Sequence, residues 1–208
     1  METYDSLGVL VSTINNQVQS EFIKNFVSQD LFKSGRVVAK LFDLLYGKGQ
    51  IAIVHIDESY KNATHMQEKE SGFRNYFSEK KESNYEIVTL KLKNPNYEIN
   101  FLNFIRENPN LSGIFVTTSK AYQIAKMIKD IQQPSKKIGI IGYDLIDTNV
   151  DYLNEGVIDF LIHQNPKNQA YIGITCLAEY FLFNKEIPNS TLLPIEIINT
   201  ENANYYLS

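Results

Sequence analysis

Short hydroxyl, amide and carboxylate side chains follow apolar runs at five places in this sequence. Ser12, Thr13 and Asn15 follow Leu7–Val11, and His55, Asp57 and Ser59 follow Ile51–Val54. Thr117, Thr118 and Ser119 follow Val116; Tyr143 and Asp144 follow Ile141-Gly142; His163, Gln164 and Asn165 follow Ile162. Groups of this kind suit an uncharged, polyhydroxylated molecule, because a carboxylate accepts from two hydroxyls while an amide both donates and accepts. Each residue taken singly also fits a plainer role, capping the next helix or holding a turn.

Signatures of catalysis are weak by comparison. His55, His65 and His163 show no H-x-x-x-H or H-x-x-E-H spacing, so no zinc motif is visible. His55 with Asp57 could form a metal or acid–base pair, although a loop position is the simpler reading. Cys176 falls in an apolar helical pattern, where a buried inert thiol is the default. Gly47-Lys48-Gly49 precedes an apolar run, whereas a phosphate-binding loop follows one, and neither G-x-x-x-x-G-K-[ST] nor G-x-G-x-x-G occurs. The paired acids of a phosphorylated receiver domain are missing from the early strands. No metal and no cofactor is expected.

The elements that must position these groups alternate. Apolar runs at Leu7–Val11, Ile51–Ile56, Tyr85–Leu90, Leu111–Val116, Lys137–Ile141, Val157–Ile162 and Leu192–Ile198 read as strands. Ile51-Ala52-Ile53-Val54 and Ile114-Phe115-Val116 are apolar at every position, the habit of strands covered on both faces in parallel sheets. Between the runs, residues 31–46 place Val38, Leu41, Phe42 and Leu45 on one helical face, with Gly47 as a stop. Residues 64–82 carry Phe73 and Phe77 four apart. Ser119 stands as a cap before Ile124, Ile128 and Ile131, and Pro134 ends that helix. Residues 168–183 group Ala170, Ile174, Leu177, Ala178 and Phe181. A βαβα alternation predicts an α/β fold with an open parallel sheet, whose ligands bind at the carboxyl edge of the strands where strand order reverses.

The chain has 208 residues, 20 Lys plus Arg against 24 Asp plus Glu, and a formal charge of −4. That balance argues against a phosphate-backbone grip by these residues, which needs a concentrated basic surface. One cysteine excludes an internal disulfide and suggests a reducing compartment. No apolar run approaches the ~20 residues of a membrane span, and the acidic start lacks a secretory pattern, so a cytoplasmic protein is expected.

Three segments in order resemble the LacI/GalR family of transcriptional regulators, whose ligand-binding part is similar to type I periplasmic sugar-binding proteins. The first is Ser28-Gln29-Asp30-Leu31-Phe32-Lys33-Ser34-Gly35-Arg36-Val37-Val38-Ala39, followed by Gly47-Lys48-Gly49-Gln50-Ile51-Ala52-Ile53. The second is Lys69-Glu70-Ser71-Gly72-Phe73-Arg74. The third joins Ile138-Gly139-Ile140-Ile141-Gly142-Tyr143-Asp144 to Ile162-His163-Gln164-Asn165-Pro166, Leu193-Pro194 and Thr200-Glu201-Asn202. The resemblance implies Rossmann-like lobes: residues 28–164 and 191–208 as a complete effector-binding lobe, and 1–27 with 165–190 as a partial first lobe. The family's opening strand–helix units and its helix-turn-helix have no counterpart here, and a strand that usually carries ligand contacts is expected to be missing before Ser28.

Carried over residue by residue, the resemblance implies a ligand wall of Lys69, Thr118, Asp144 and Gln164, with His65 one helical turn before Lys69. Lys69 stands where the family has an arginine and loses its planar fork. Thr118 and Ser119 stand where the family has an Asn-Asp pair. The implied role is sensing of a sugar-like effector by a homodimer, not catalysis, with DNA reached only through a further N-terminal domain. A transporter's solute-binding protein, a small α/β enzyme and a non-binding dimerisation relative are the competing readings.

Overall fold

The computed structural model describes residues 9–15, 23–46, 48–56, 63–80, 85–131 and 137–207. They form two units, one from residues 1–30 and 164–195, the other from 31–163 and 196–208.

Unit 2 is a six-stranded sheet in the order β4-β3-β5-β6-β7-β9. Its strands are β3 (Gly49–Ile56), β4 (Tyr85–Leu92), β5 (Leu111–Val116), β6 (Gly139–Tyr143), β7 (Phe160–His163) and β9 (Glu196–Ile198). All pairings are parallel except β7 with β9. Helices α1 (Leu31–Tyr46), α2 (Thr64–Ser78), α3 (Tyr97–Glu107), α4 (Ala121–Ile131) and α5 (Asp147–Asn154) connect the strands. The continuous apolar runs are the inner strands, as expected. Ile51, Ile53 and Phe115 lie in the α1/α2 layer with Phe42, Phe73 and Phe77, whose rings meet at 5.2–5.9 Å. Ala52, Val54, Ile114 and Val116 pack in a cluster with Phe101, Ile124 and Ile128.

The chain runs from β3 to β4 on one side, then returns to place β5 on the other side of β3. The reversal in strand order therefore falls between the carboxyl ends of β3 and β5, where an open α/β sheet binds its ligand.

Helices α1 and α2 touch through glycines. A Cβ at Gly35 would stand 2.0 Å from the Lys69 carbonyl oxygen, and one at Gly72 would stand 1.9 Å from that of Phe32. No larger side chain fits either backbone contact.

Unit 1 holds a three-stranded parallel sheet, β1 (Val11–Ile14), β2 (Ile23–Gln29) and β8 (Ser190–Leu193), with the long helix α6 (Pro166–Phe183). Several expectations change here. Ser12 and Thr13 lie inside β1, not beyond it, while Leu7 and Gly8 lie outside the described residues. A strand does precede the first helix: β2 ends at Gln29, its pattern hidden because Asn25, Ser28 and Gln29 are buried polar residues. The run Leu192–Ile198 is two strands. Pro194 lacks a ladder N–H and separates them, leaving β8 on β2 in unit 1 and β9 on β7 in unit 2. The unit boundaries thus fall at 30/31, 163/164 and 195/196. The expected apolar face of α6 is overturned as well. Its buried residues are Gln169 and Gly173, while Ile174, Ala178 and Phe181 are exposed. Gly173 decides this, because a Cβ there would stand 3.1 Å from Ser12 Oγ.

Gly47 and Pro134, expected as helix stops, lie outside the described residues. No helix among the described residues is long and apolar enough to cross a membrane.

Candidate functional site

At the strand reversal the structure places a network of buried polar groups. His55 is the last residue but one of β3 and is 2% exposed, so the loop position expected for it is corrected. Odd positions of β3 face the α1/α2 layer, which brings His55 under α2. Its Nδ1 lies 2.7 Å from Thr117 Oγ1, and Glu70 Oε2 accepts from its Nε2 at 2.8 Å. Asp57 lies outside the described residues. Glu70 Oε1 also accepts from Thr89 Oγ1 at 2.5 Å and from Arg74 Nε at 2.8 Å. Arg74 continues to Thr89 Oγ1 and to the Ile87 carbonyl. A carboxylate this deep is supported by charge-assisted bonds on both oxygens.

Lys69, beside Glu70 on α2, is 2% exposed. Its Nζ donates to the Thr117 carbonyl at 3.1 Å and stands 3.5 Å from the centre of the Tyr143 ring. The aromatic face and the carbonyl together offset removal of an ammonium from water. The Tyr143 hydroxyl meets Ser34 Oγ of α1 at 2.7 Å. Burial pushes the Tyr143 phenol well above its ordinary range, the Ser34 bond works against that, and the Asp144 charge adds to it. The ring under the lysine is thus a neutral phenol at physiological pH.

Asp144 directly follows β6 with φ +68°, a left-handed conformation that aspartate tolerates better than most residues. Its N–H donates to Ile162 O at 3.0 Å. The buried Asn149 holds the rest of the turn: its Nδ2 lies 2.9–3.0 Å from the carbonyls of Ser119, Tyr143 and Asp144, and its Oδ1 accepts from the Tyr122 N–H at 2.8 Å. One amide therefore ties the loop after β5 to the loop after β6. Thr118, between them, is buried, and its Oγ1 accepts from the Lys120 N–H at 3.4 Å, a local turn contact just before α4.

Of the predicted wall, the structure gathers Lys69, Thr118 and Asp144 at one edge of unit 2, joined through Thr117, Tyr143 and Asn149. His65 is half-buried one turn before Lys69 on α2. Gln164 belongs to unit 1, where its carbonyl accepts from Gln169 Nε2 at 2.7 Å. Sequence reasoning missed Asn149, Ser34 and the His55–Glu70 pair. The available signal was parity: His55 continues the Ile51, Ile53 face of a buried strand, so it needed a buried partner. No group of three metal-ligating side chains occurs among the described residues. The arrangement gathers hydroxyls, carbonyls, an amide and the carboxylates of Glu70 and Asp144 at and beside the strand reversal, most of them buried and bonded to one another.

A family model described as periplasmic binding protein domain matches residues 1–185. No curated protein matches the chain. Among solved structures, a candidate LacI transcriptional regulator from Bacteroides fragilis is 28% identical, with a TM-score of 0.89, covering 99% of this chain and 72% of its own. GanP, a glucose-galactose binding protein from Geobacillus stearothermophilus, is 21% identical, with a TM-score of 0.80 and coverage of 96% and 71%. An ABC transporter periplasmic solute binding protein from Actinobacillus succinogenes 130z, with bound D-allose, is 23% identical, with a TM-score of 0.82 and coverage of 99% and 73%. With most of its length matched by the family model, this chain belongs to the periplasmic binding protein domain family.

Proposed function

We propose that this chain is the carbohydrate-sensing part of a LacI-type regulator that acts in the cytoplasm and reaches DNA through a further domain. The observation that carries the reading is the edge of unit 2, where Lys69 and Thr118 stand at the strand reversal and Asp144 stands after the neighbouring strand β6, in a turn held by Asn149. The similarity to the Bacteroides fragilis protein supports regulator over transporter. The similarity to GanP and to the D-allose-bound protein supports a sugar as ligand, and keeps a solute-binding role as the second reading. Neither role requires turnover. Ligand bound to the folded form raises the melting temperature by mass action, and a regulator uses its differential affinity for two states, typically about 1–3 kcal/mol, as its signal.

The test is calorimetry and thermal melting against glucose, galactose, D-allose and a set of nucleosides. At least one ligand should bind, and Asp144→Asn should weaken it tenfold or more while the melting temperature without ligand stays within a few degrees. Silence across the panel would sink the sugar reading. Steady chemical conversion of a sugar on mixing would replace it with an enzyme.

A further inference from the structure

Unit 1 holds a hollow of about 300 Å³, lined by Leu10, Lys24, Tyr180, Glu186, Ile187 and Asn189. Leu10 directly precedes β1, Lys24 is the second residue of β2, and Asn189 directly precedes β8. The hollow therefore lies at the amino edge of this parallel sheet, opposite the edge at which open α/β sheets take their ligands. The turn after α6 that forms part of its wall is fastened at both ends. Asn184 closes the helix in a left-handed conformation, φ +52°, its N–H donating to the Tyr180 carbonyl at 2.9 Å, and Lys185 pairs with Glu179 at 2.7 Å. At the other end the buried Asn25 donates to the Pro188 carbonyl at 2.6 Å, and the Phe26 N–H donates to that of Asn189 at 3.0 Å.

We propose that this hollow is a second ligand site, one that takes a free amino acid with an apolar side chain. Charge is the first argument. Lys24 and Glu186 line the same hollow, yet among the described residues neither forms an ion pair or hydrogen bond with the other. Two opposite charges left unpaired on one wall match a zwitterion, whose carboxylate goes to the Lys24 ammonium and whose ammonium goes to the Glu186 carboxylate. The hollow also reaches Tyr180 in the last turn of α6, where the helix dipole is negative and reinforces Glu186 as a seat for a cation. Lining is the second argument. Leu10, Ile187 and the Tyr180 ring supply apolar surface for an aliphatic or aromatic side chain. The volume stands at the lower end for small-molecule pockets, which suits a ligand of that size. An uncharged sugar would strip water from both charges and return no counter-charge to either. None of these residues belongs to the wall of Lys69, Thr118 and Asp144.

The test is calorimetric titration of the full chain with L-phenylalanine and L-leucine, with thermal melting as a second readout, for the wild type, Lys24→Gln, Glu186→Gln and Asp144→Asn. Lys24 and Glu186 are exposed, and melting without ligand confirms that each variant stays folded. Phenethylamine, which lacks the carboxylate, and N-acetyl-L-phenylalanine, which lacks the ammonium, are the ligand controls. Binding of at least one amino acid, weakened about tenfold or more by each unit 1 substitution and by loss of either charged group from the ligand, supports the proposal. No binding of either amino acid at millimolar concentration overturns it. So does binding that survives both unit 1 substitutions, or binding that is lost with Asp144→Asn, which would put the amino acid at the wall of unit 2.

Discussion

The two units solve the same packing problem by different means. Unit 2 sandwiches six strands between helices, and its interior is Phe42, Phe73, Phe115, Ile51, Ile53 and their neighbours. Unit 1 has three strands and one described long helix, and amides take the place of aromatics. Asn25 Nδ2 donates to Pro188 O at 2.6 Å, Gln29 Nε2 to Pro194 O at 2.7 Å, and Gln169 Nε2 to Gln164 O at 2.7 Å. Apolar burial supplies most folding free energy, while a hydrogen bond nets only about 1 kcal/mol. The described residues of unit 1 are therefore held more by specific hydrogen bonds and less by apolar burial than those of unit 2.

The largest expected effect tests that asymmetry. Phe73→Ala in unit 2 should cost about 3–5 kcal/mol in urea unfolding, because it empties a site ringed by Phe42, Phe77 and Phe115. Phe181→Ala in unit 1, measured at dilution, should stay within about 0.5 kcal/mol. Equal penalties at dilution would break the contrast.

A smaller effect is expected from Asn149→Ala. Removing an amide bonded to one N–H and three carbonyls should cost about 2–3 kcal/mol and loosen the Asp144 turn. Ligand affinity should fall with it, whereas Asn25→Ala in unit 1 should lower stability by about 1 kcal/mol. If Asn149→Ala left affinity intact, Asp144 would not be held in place by that amide.

The smallest effect is alkaline. Burial pushes the Tyr85 phenol up to about 12, with Asp43 and Tyr76 adding to the rise, and burial also raises Tyr46 and Tyr143, all in unit 2. The folded state keeps these protons longer than the unfolded chain. Their contribution is complete below about pH 10, the ordinary phenol value, and for Tyr85 it is lost between there and about 12. Melting temperature should fall across that interval, and Tyr85→Phe should flatten the slope.

Much of unit 2 was legible because Ile51–Val54 and Ile114–Val116 advertise double-sided burial, and because Asp144 and Thr118 stand just past strands. Unit 1 was harder to read. Lys24, Asn25 and Ser28 break the apolar signal of β2 although Asn25 and Ser28 are buried, since their partners lie far along the chain or in another backbone segment. Helix α6 is apolar on nearly every side, so periodicity named a face but not the one chosen by Gly173. The His55–Glu70 pair joins a strand to a helix 15 residues later, a contact no local spacing rule describes.

The glycine contact between α1 and α2 has a consequence for how the charge of Lys69 could be repositioned. Because Gly35 rests on the main chain of Lys69, that residue's backbone has no slack toward α1, and its cation can be redirected only through its own four-carbon stem. Selection that moves this charge should therefore leave Gly35 and Gly72 as they are and fall on position 69 itself, where a change of stem length shifts the cation without parting the two helices.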